Sequence, residues 1–161
     1  MKLKIKDNIP DIKIFHLIDG QPKEDSIKEV LGQSKIILFG LPGAFTSTCS
    51  KIHLPSYVNN FEKIKDKGID KIFCISVNDP YVMNAWGEVN NVKKNISMLA
   101  DPYLSFTKSI GAEVDRNSKG MGIRSSRYAM IVENLEIKII QEEKETKNCG
   151  ISSAESILDL I

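Results

Sequence analysis

The segment Pro42-Gly43-Ala44-Phe45-Thr46-Ser47-Thr48-Cys49 sets a cysteine directly after a hydroxyl-rich turn. The turn follows an apolar run, Ile36-Ile37-Leu38-Phe39, and helical sequence begins at or near Cys49. A thiol at a helix N-terminus faces unpaired backbone N–H groups and the positive end of the helix dipole, and both favour thiolate over thiol. The thiolate is the nucleophile. Free cysteine is otherwise among the most buried residue types and usually acts as a small hydrophobe. Cys49 departs from that pattern, because Thr46, Ser47, Thr48, Ser50 and Lys51 surround it in the sequence.

One reaction such a group could perform is attack on a peroxide oxygen. The leaving oxygen then gains negative charge, so the transition state needs hydrogen-bond donors on both oxygens and a nearby cation. Thr46 offers a hydroxyl, and the backbone N–H groups around Thr48 and Cys49 are expected to face the same space. The cation must come from elsewhere, and Arg124 or Arg127 is the natural choice. Either arginine taken alone reads as an ordinary surface charge.

The elements that must position these groups can be read along the chain. Its 161 residues fit one domain, 1–161, long enough to bury a core without staples. Lys2 to Ile18 reads as two short strands broken at Asn8-Ile9-Pro10, with a turn at Asp19-Gly20. Ser26 to Leu31 is a helical turn closed by Gly32, and Lys35 to Phe39 is a buried strand. A helix from Cys49 to Gly68 is expected to kink at Pro55. Lys71 to Val77 is a second buried strand, and Asp79-Pro80 caps a helix carrying Val82, Met83 and Trp86. Met98 to Ala100 is a short strand, Tyr103 to Ile110 a short helix, and Gly111 to Gly122 a loop. Arg127–Val132 and Ile137–Gln141 form a strand pair, and Ser152-x-x-Glu155 is a capping box for a final helix through Ile161. That order predicts an α/β thioredoxin-like fold, a central mixed β-sheet flanked by helices, with an N-terminal β-hairpin.

Composition narrows the partners. A net charge of +1 gives no footprint for nucleic acid or an anionic membrane. No apolar run approaches the ~20 residues of a membrane span. Three cysteines without a secretory signal imply a reducing compartment and free thiols. The start at Met1, without an Arg- and Ser-rich leader, leads to the expectation of a cytoplasmic protein.

Pro42-x-x-x-Thr46-x-x-Cys49 resembles the active-site signature of peroxiredoxins. The longer stretch Gly43 to Pro55, together with Ile75-Ser76-Val77-Asn78-Asp79 and Arg124-Ser125-x-Arg127-Tyr128-Ala129-Met130, is similar to the peroxiredoxin-5 (type II, atypical) subfamily. The resemblance runs from about Ile9 to the C-terminus. It implies that Cys49 is the peroxidatic cysteine, oxidised to a sulfenic acid. Thr46 would hydrogen-bond thiolate and peroxide, Arg127 would be the active-site arginine, and Pro42 would shield the sulfur from water. Thr48 and Gly43 would border the bound substrate. The implied substrates are hydrogen peroxide and alkyl hydroperoxides, with no metal or organic cofactor. The implied role is antioxidant defence and cell redox homeostasis.

Regeneration needs a second thiol. Cys149, in the turn Thr146-Lys147-Asn148-Cys149-Gly150, lies near a resolving cysteine of some subfamily members. Cys74 matches the resolver of plant-type members, but sits in a buried strand. The third route is external, through glutathione or glutaredoxin, or through thioredoxin. His53 and Cys74 are too few ligands for structural zinc. The subfamily commonly forms homodimers through loops near the site, to which Phe45 and Trp86 could contribute. Two other functions compete. A disulfide oxidoreductase of the same fold would want Cys-x-x-Cys, but residue 52 is Ile. A non-catalytic thiol redox sensor or holdase-like protein would not need Thr46 and Arg127 together.

Overall fold

Alternating apolar faces organise the molecule, for which the computed structural model describes residues 1–161. Three parallel strands lie at the centre: β3 (Lys35–Leu41), β4 (Lys71–Ser76) and β5 (Ile96–Ala100). Antiparallel strands extend both edges. β8 (Tyr128–Glu133) pairs with β3 and β9 (Glu136–Glu142) with β8, while β1 (Lys13–Ile18) pairs with β5 and β2 (Gln21–Ser26) with β1. The order is β2-β1-β5-β4-β3-β8-β9. Because side chains alternate along a strand, Ile37, Phe39 and Leu41 face one side with Cys74, Ala129 and Ile131. Ile36 and Leu38 face the other with Phe73, Ile75, Met130 and Val132.

Helices cover both faces, as a buried parallel centre requires. α2 (Leu54–Asn59), α3 (Phe61–Asp66), α4 (Pro80–Val89) and α6 (Ala154–Leu158) bury Leu54, Tyr57, Ile64, Met83, Trp86 and Ile157 against the first face. α1 (Ile27–Leu31) and α5 (Ser105–Ser109) cover the second with Ile27, Leu31 and Phe106. This is a thioredoxin-like α/β fold with a mixed central sheet, and the hairpin β1–β2 turns at Asp19-Gly20.

Four expected elements differ. Lys2 to Asn8 forms no strand. Its N–H groups find scattered single carbonyls, Lys2 that of Ile110 after α5 and Lys6 that of Ile137 in β9, with one bridge from Asn8 to Glu136. The run after Cys49 is not one helix kinked at Pro55. Residues Cys49–His53 form a π turn closed by the Leu54 N–H on the Cys49 carbonyl, which absorbs the irregularity before the proline, since Pro55 has no N–H to extend the ladder. The helix is broken again at Asn60, whose side-chain amide donates to Ser56 O and Glu155 Oε1. Within Gly111 to Gly122, β6 (Glu113–Asp115) and a 3₁₀ turn (Asn117–Lys119) precede β7 (Ile123–Ser125), which pairs with β6.

The fourth difference is the last cap. The Ser152–Glu155 box does not form; Ser153 caps α6 instead, its Oγ accepting from the Ser156 N–H. Ser152 and Glu155 are spent elsewhere, on Glu143 and Asn60. The helix closes at Leu158, short of Ile161.

Candidate active site

The turn that carries Cys49 is pinned by two side chains, Asn78 and Arg124. Asn78 Oδ1 accepts from the Ala44 N–H at 2.9 Å and lies 2.9 Å from Ser76 Oγ at the end of β4. Arg124 donates from Nε to Met121 O (2.7 Å) and from Nη1 to Val77 O (3.0 Å) and Pro42 O (3.4 Å). Gly43 lies directly beside that guanidinium: a Cβ there would sit 3.0 Å from Arg124 Nη1. Arg124 therefore braces the loop ends, and its guanidinium is committed to carbonyls.

Arg127 meets the sulfur. It is 1% exposed, and its Nη2 donates to Cys49 Sγ at 3.3 Å. Nε and Nη2 also donate to Thr146 O at 3.2 and 2.9 Å, and Nη1 lies 3.0 Å from His53 Nδ1. A guanidinium has no acceptor atom, so Nδ1 must accept, and the histidine proton sits on Nε2, which donates to Ser152 O at 3.0 Å. Burial and the Arg127 charge, in that order, hold His53 down to about 3, so the ring is neutral. Phe39 and Tyr57 pack against it, and Tyr57 Oη donates to the same Ser152 carbonyl at 2.8 Å. Both ring nitrogens are thereby used, leaving neither for a metal ion.

No carboxylate pairs with Arg127. A buried charge without a counter-charge costs several kcal/mol. The side-chain groups that Arg127 reaches are the Cys49 sulfur and the neutral His53 ring. A cavity of about 140 Å³ opens beside this pair, bordered by Pro42, Thr46, Thr48, Arg116, Arg127 and Thr146 among others. The Thr46 hydroxyl donates to Gly43 O at 2.8 Å, not to Cys49 as expected, because the turn brings that carbonyl within reach. Its oxygen keeps lone pairs for a donor in the cavity. The Thr48 hydroxyl donates to Lys147 O at 3.3 Å and fastens the opposite rim.

The Redoxin family model matches residues 4–158. The chain belongs to the peroxiredoxin family. It is 41% identical to peroxiredoxin-2D of Arabidopsis thaliana over 97% of this chain and 96% of that protein. It is similar to reduced Prx3 of Vibrio vulnificus in complex with hydrogen peroxide, with 39% identity, a TM-score of 0.92 and 98% of each chain covered. It is also similar to peroxiredoxin 5 of Alvinella pompejana, with 33% identity, a TM-score of 0.85, and 97% and 96% of the two chains covered. As a peroxiredoxin it is a thiol-dependent peroxidase with antioxidant function, and the likeness fits the type II subfamily.

The two resolving candidates stand apart. Cys74 is fully buried in β4, between β3 and β5. Burial first, then the charge of Cys49, pushes its thiol well up. Cys149 is half-buried, its thiol raised by burial and eased back by Arg127. Its loop is clasped by Glu143, whose Oε1 accepts from Gly150 N, Ser152 N and Ser152 Oγ. Of the two aromatics, Trp86 is core, its Nε1 donating to Ser50 Oγ, whereas Phe45 is 58% exposed in the cysteine turn. Sequence reasoning missed two positioning groups, the Thr146 carbonyl and Glu143. A backbone acceptor leaves no trace in residue type, and Glu143 sits in the charged run Glu142-Glu143-Lys144-Glu145, which reads as a solvated surface.

Proposed function

We propose that Cys49 reduces hydrogen peroxide and alkyl hydroperoxides through a sulfenic acid. The Cys49 thiolate attacks one peroxide oxygen, the O–O bond breaks, and the leaving alkoxide or hydroxide takes a proton to become alcohol or water. Arg127 holds the sulfur and the developing charge, and Thr46 turns its free lone pairs to the peroxide hydroxyl. Pro42 closes the outer wall, with Gly43 and Thr48 at the rim. The observation that carries this reading is the buried Arg127 guanidinium at 3.3 Å from Cys49 Sγ, with no carboxylate to neutralise it. The hydrogen peroxide complex of the similar Vibrio vulnificus Prx3 supports the substrate.

An external thiol regenerates the enzyme in this reading, supplied by glutathione, glutaredoxin or thioredoxin. Moving Cys74 would tear a central strand, and moving Cys149 would break the Glu143 clasp and strip Thr146 O from Arg127. We further infer one domain over 1–161, a cytoplasmic location and a homodimer formed beside exposed Phe45. Sedimentation equilibrium of Phe45→Ser against the unaltered chain tests the dimer.

The decisive experiment is peptide mapping by mass after one equivalent of hydrogen peroxide with a sulfenic-acid trap. The expected product is a trap adduct on Cys49. A Cys49–Cys149 or Cys49–Cys74 disulfide would replace the external route with an internal one. An unmodified Cys49 would end the peroxidase assignment of this residue.

A further inference from the structure

Arg116 is the one cation bordering the cavity beside Arg127 without a partner. Its Nε is buried and makes no hydrogen bond, and its guanidinium joins no ion pair. The other two cations there are engaged, Arg127 as described and Lys147 with Glu145 at 2.8 Å. Yet the backbone of Arg116 is firmly set. Its N–H donates to Gly122 O at 2.8 Å, and its carbonyl accepts from Lys119 (2.9 Å) and Met121 (3.2 Å). A held backbone beneath an unused guanidinium is the arrangement of a binding group.

Arg116 also joins two cavities. Beyond the 140 Å³ space beside Arg127 lies a groove of about 570 Å³ between residues 114–116 and 142–147, and Arg116, Thr146 and Lys147 border both. The groove is polar, with Val114 its one apolar wall residue. Its acids are already occupied. Glu142 takes the Met1 ammonium and the Ser126 hydroxyl, Glu143 takes Gly150 and Ser152, Asp115 takes the Asn117 N–H, and Glu145 takes Lys147. Two cations of the groove remain without a partner, the Lys144 ammonium and the planar Arg116 guanidinium, and the matching ligand of the latter is a carboxylate.

We propose that this groove binds the carboxylate of a small acidic thiol, held by Arg116 while the thiol's sulfur reaches Cys49. The proposal rests on the sulfenic-acid reading of Cys49. The polar wall argues for a hydrophilic thiol over the alkyl tail of an organic hydroperoxide, although either could carry the carboxylate. In the step it serves, the incoming thiolate attacks the Cys49 sulfenic sulfur. An S–S bond forms as the S–O bond breaks, and hydroxide leaves with the thiol's proton as water.

The test compares glutathione with glutathione diethyl ester, whose carboxylates are masked, as reductants of oxidised Cys49 in the unaltered chain and in Arg116→Gln. The ratio of the two rates is expected to fall about tenfold in Arg116→Gln, the loss of one charged hydrogen-bonded pair, and to recover in part in Arg116→Lys. An unchanged ratio overturns the proposal. The same comparison in the oxidation step, with linoleic acid hydroperoxide and its methyl ester, distinguishes the sources. A shift there and none in the reduction step gives the groove to the peroxide and overturns the thiol assignment. Calorimetric titration of S-methylglutathione into Cys49→Ser, with and without Arg116→Gln, reads the site without any peroxide chemistry. About tenfold weaker binding is expected, and equal affinity overturns the site. Failure of Cys49 to oxidise in the unaltered chain would count against the peroxidase reading alone.

Discussion

Cys49 and Cys74 occupy the same buried cluster, and neither exposes any surface. Their difference lies in what each sulfur touches. Cys74 lies in a strand paired on both sides, where burial and the neighbouring Cys49 charge push its thiol up. Cys49 begins a π turn against the Arg127 guanidinium, which pairs with no carboxylate. In the proposed reading, burial does not by itself make a cysteine inert. Low polarity penalises an isolated anion and strengthens its attraction to a fixed cation. The proposed contrast rests on a single arginine that reaches only one of the two sulfurs by hydrogen bond.

The sharpest way to break this contrast is to remove the arginine. Arg127→Ala is expected to slow the reaction of Cys49 with hydrogen peroxide by about 10²–10³-fold, the scale for deleting one preorganised donor at a developing charge. Stopped-flow kinetics checks the rate, and circular dichroism checks that the fold survives. Arg127→Lys restores charge without the planar fork that reaches Cys49, His53 and Thr146 together, and should recover only part of the rate. An unchanged rate in Arg127→Ala would remove the proposed basis for the difference between the two thiols.

A second test addresses the group that orients Arg127. His53 is held neutral with a value of about 3, whereas an unfolded histidine titrates near 6.5. Between these values the unfolded chain binds a proton that the folded chain does not. Stability from this group is complete above about pH 6.5 and falls as pH drops towards 3, at ~1.4 kcal/mol per pH unit. Urea unfolding from pH 7 to 4 measures the slope. His53→Gln keeps an acceptor and a donor but cannot titrate, so its acid slope should be shallower by about that amount.

The loop beside Arg127 should yield more modestly. Glu143→Ala removes an acceptor shared by three donors on residues 150 and 152. It is expected to cost about 1–3 kcal/mol and to speed alkylation of Cys149 while leaving Cys74 protected. Equal labelling of Cys149 in both proteins would mean that the clasp does not hold the loop.

Much of this arrangement was readable from the chain because it is local. The Asp79-Pro80 cap, the Gly68 helix end and the buried runs of β3 and β4 each follow from neighbouring residue types. So does the cysteine at the start of its helix. Residue type leaves Arg124 and Arg127 equivalent and only the resemblance favours Arg127; the hydrogen bonds separate the two, one in β7 and the other just before β8. Illegible features depend on distant partners. Ser152 and Glu155 have the spacing of a capping box, but Glu143 and Asn60 claim them from 9 and 95 residues away. The alternation of Lys2 to Lys6 resembles a strand, but its N–H groups find single carbonyls at Ile110 and Ile137 in place of a ladder. The π turn arises where Pro55 meets a helix already started at Ser47, a conflict of phase that propensity alone does not express.

The smallest expected effect is at Cys74 itself. Cys74→Ala deletes one sulfur from a packed position against its neighbours on β3 and β5, and should cost about 1–2 kcal/mol as a small cavity. Its rate with hydrogen peroxide should match the unaltered chain, because Arg127, Thr46 and the Cys49 turn make no hydrogen bond to this residue. Labelling of Cys74 by a thiol reagent should appear only as the central sheet opens, and so should track global unfolding in urea. Labelling that proceeds faster than unfolding would mean that β4 opens locally. The strand would then no longer hold Cys74 in place within the cluster it shares with Cys49, and an internal disulfide between them would become accessible without unfolding the domain.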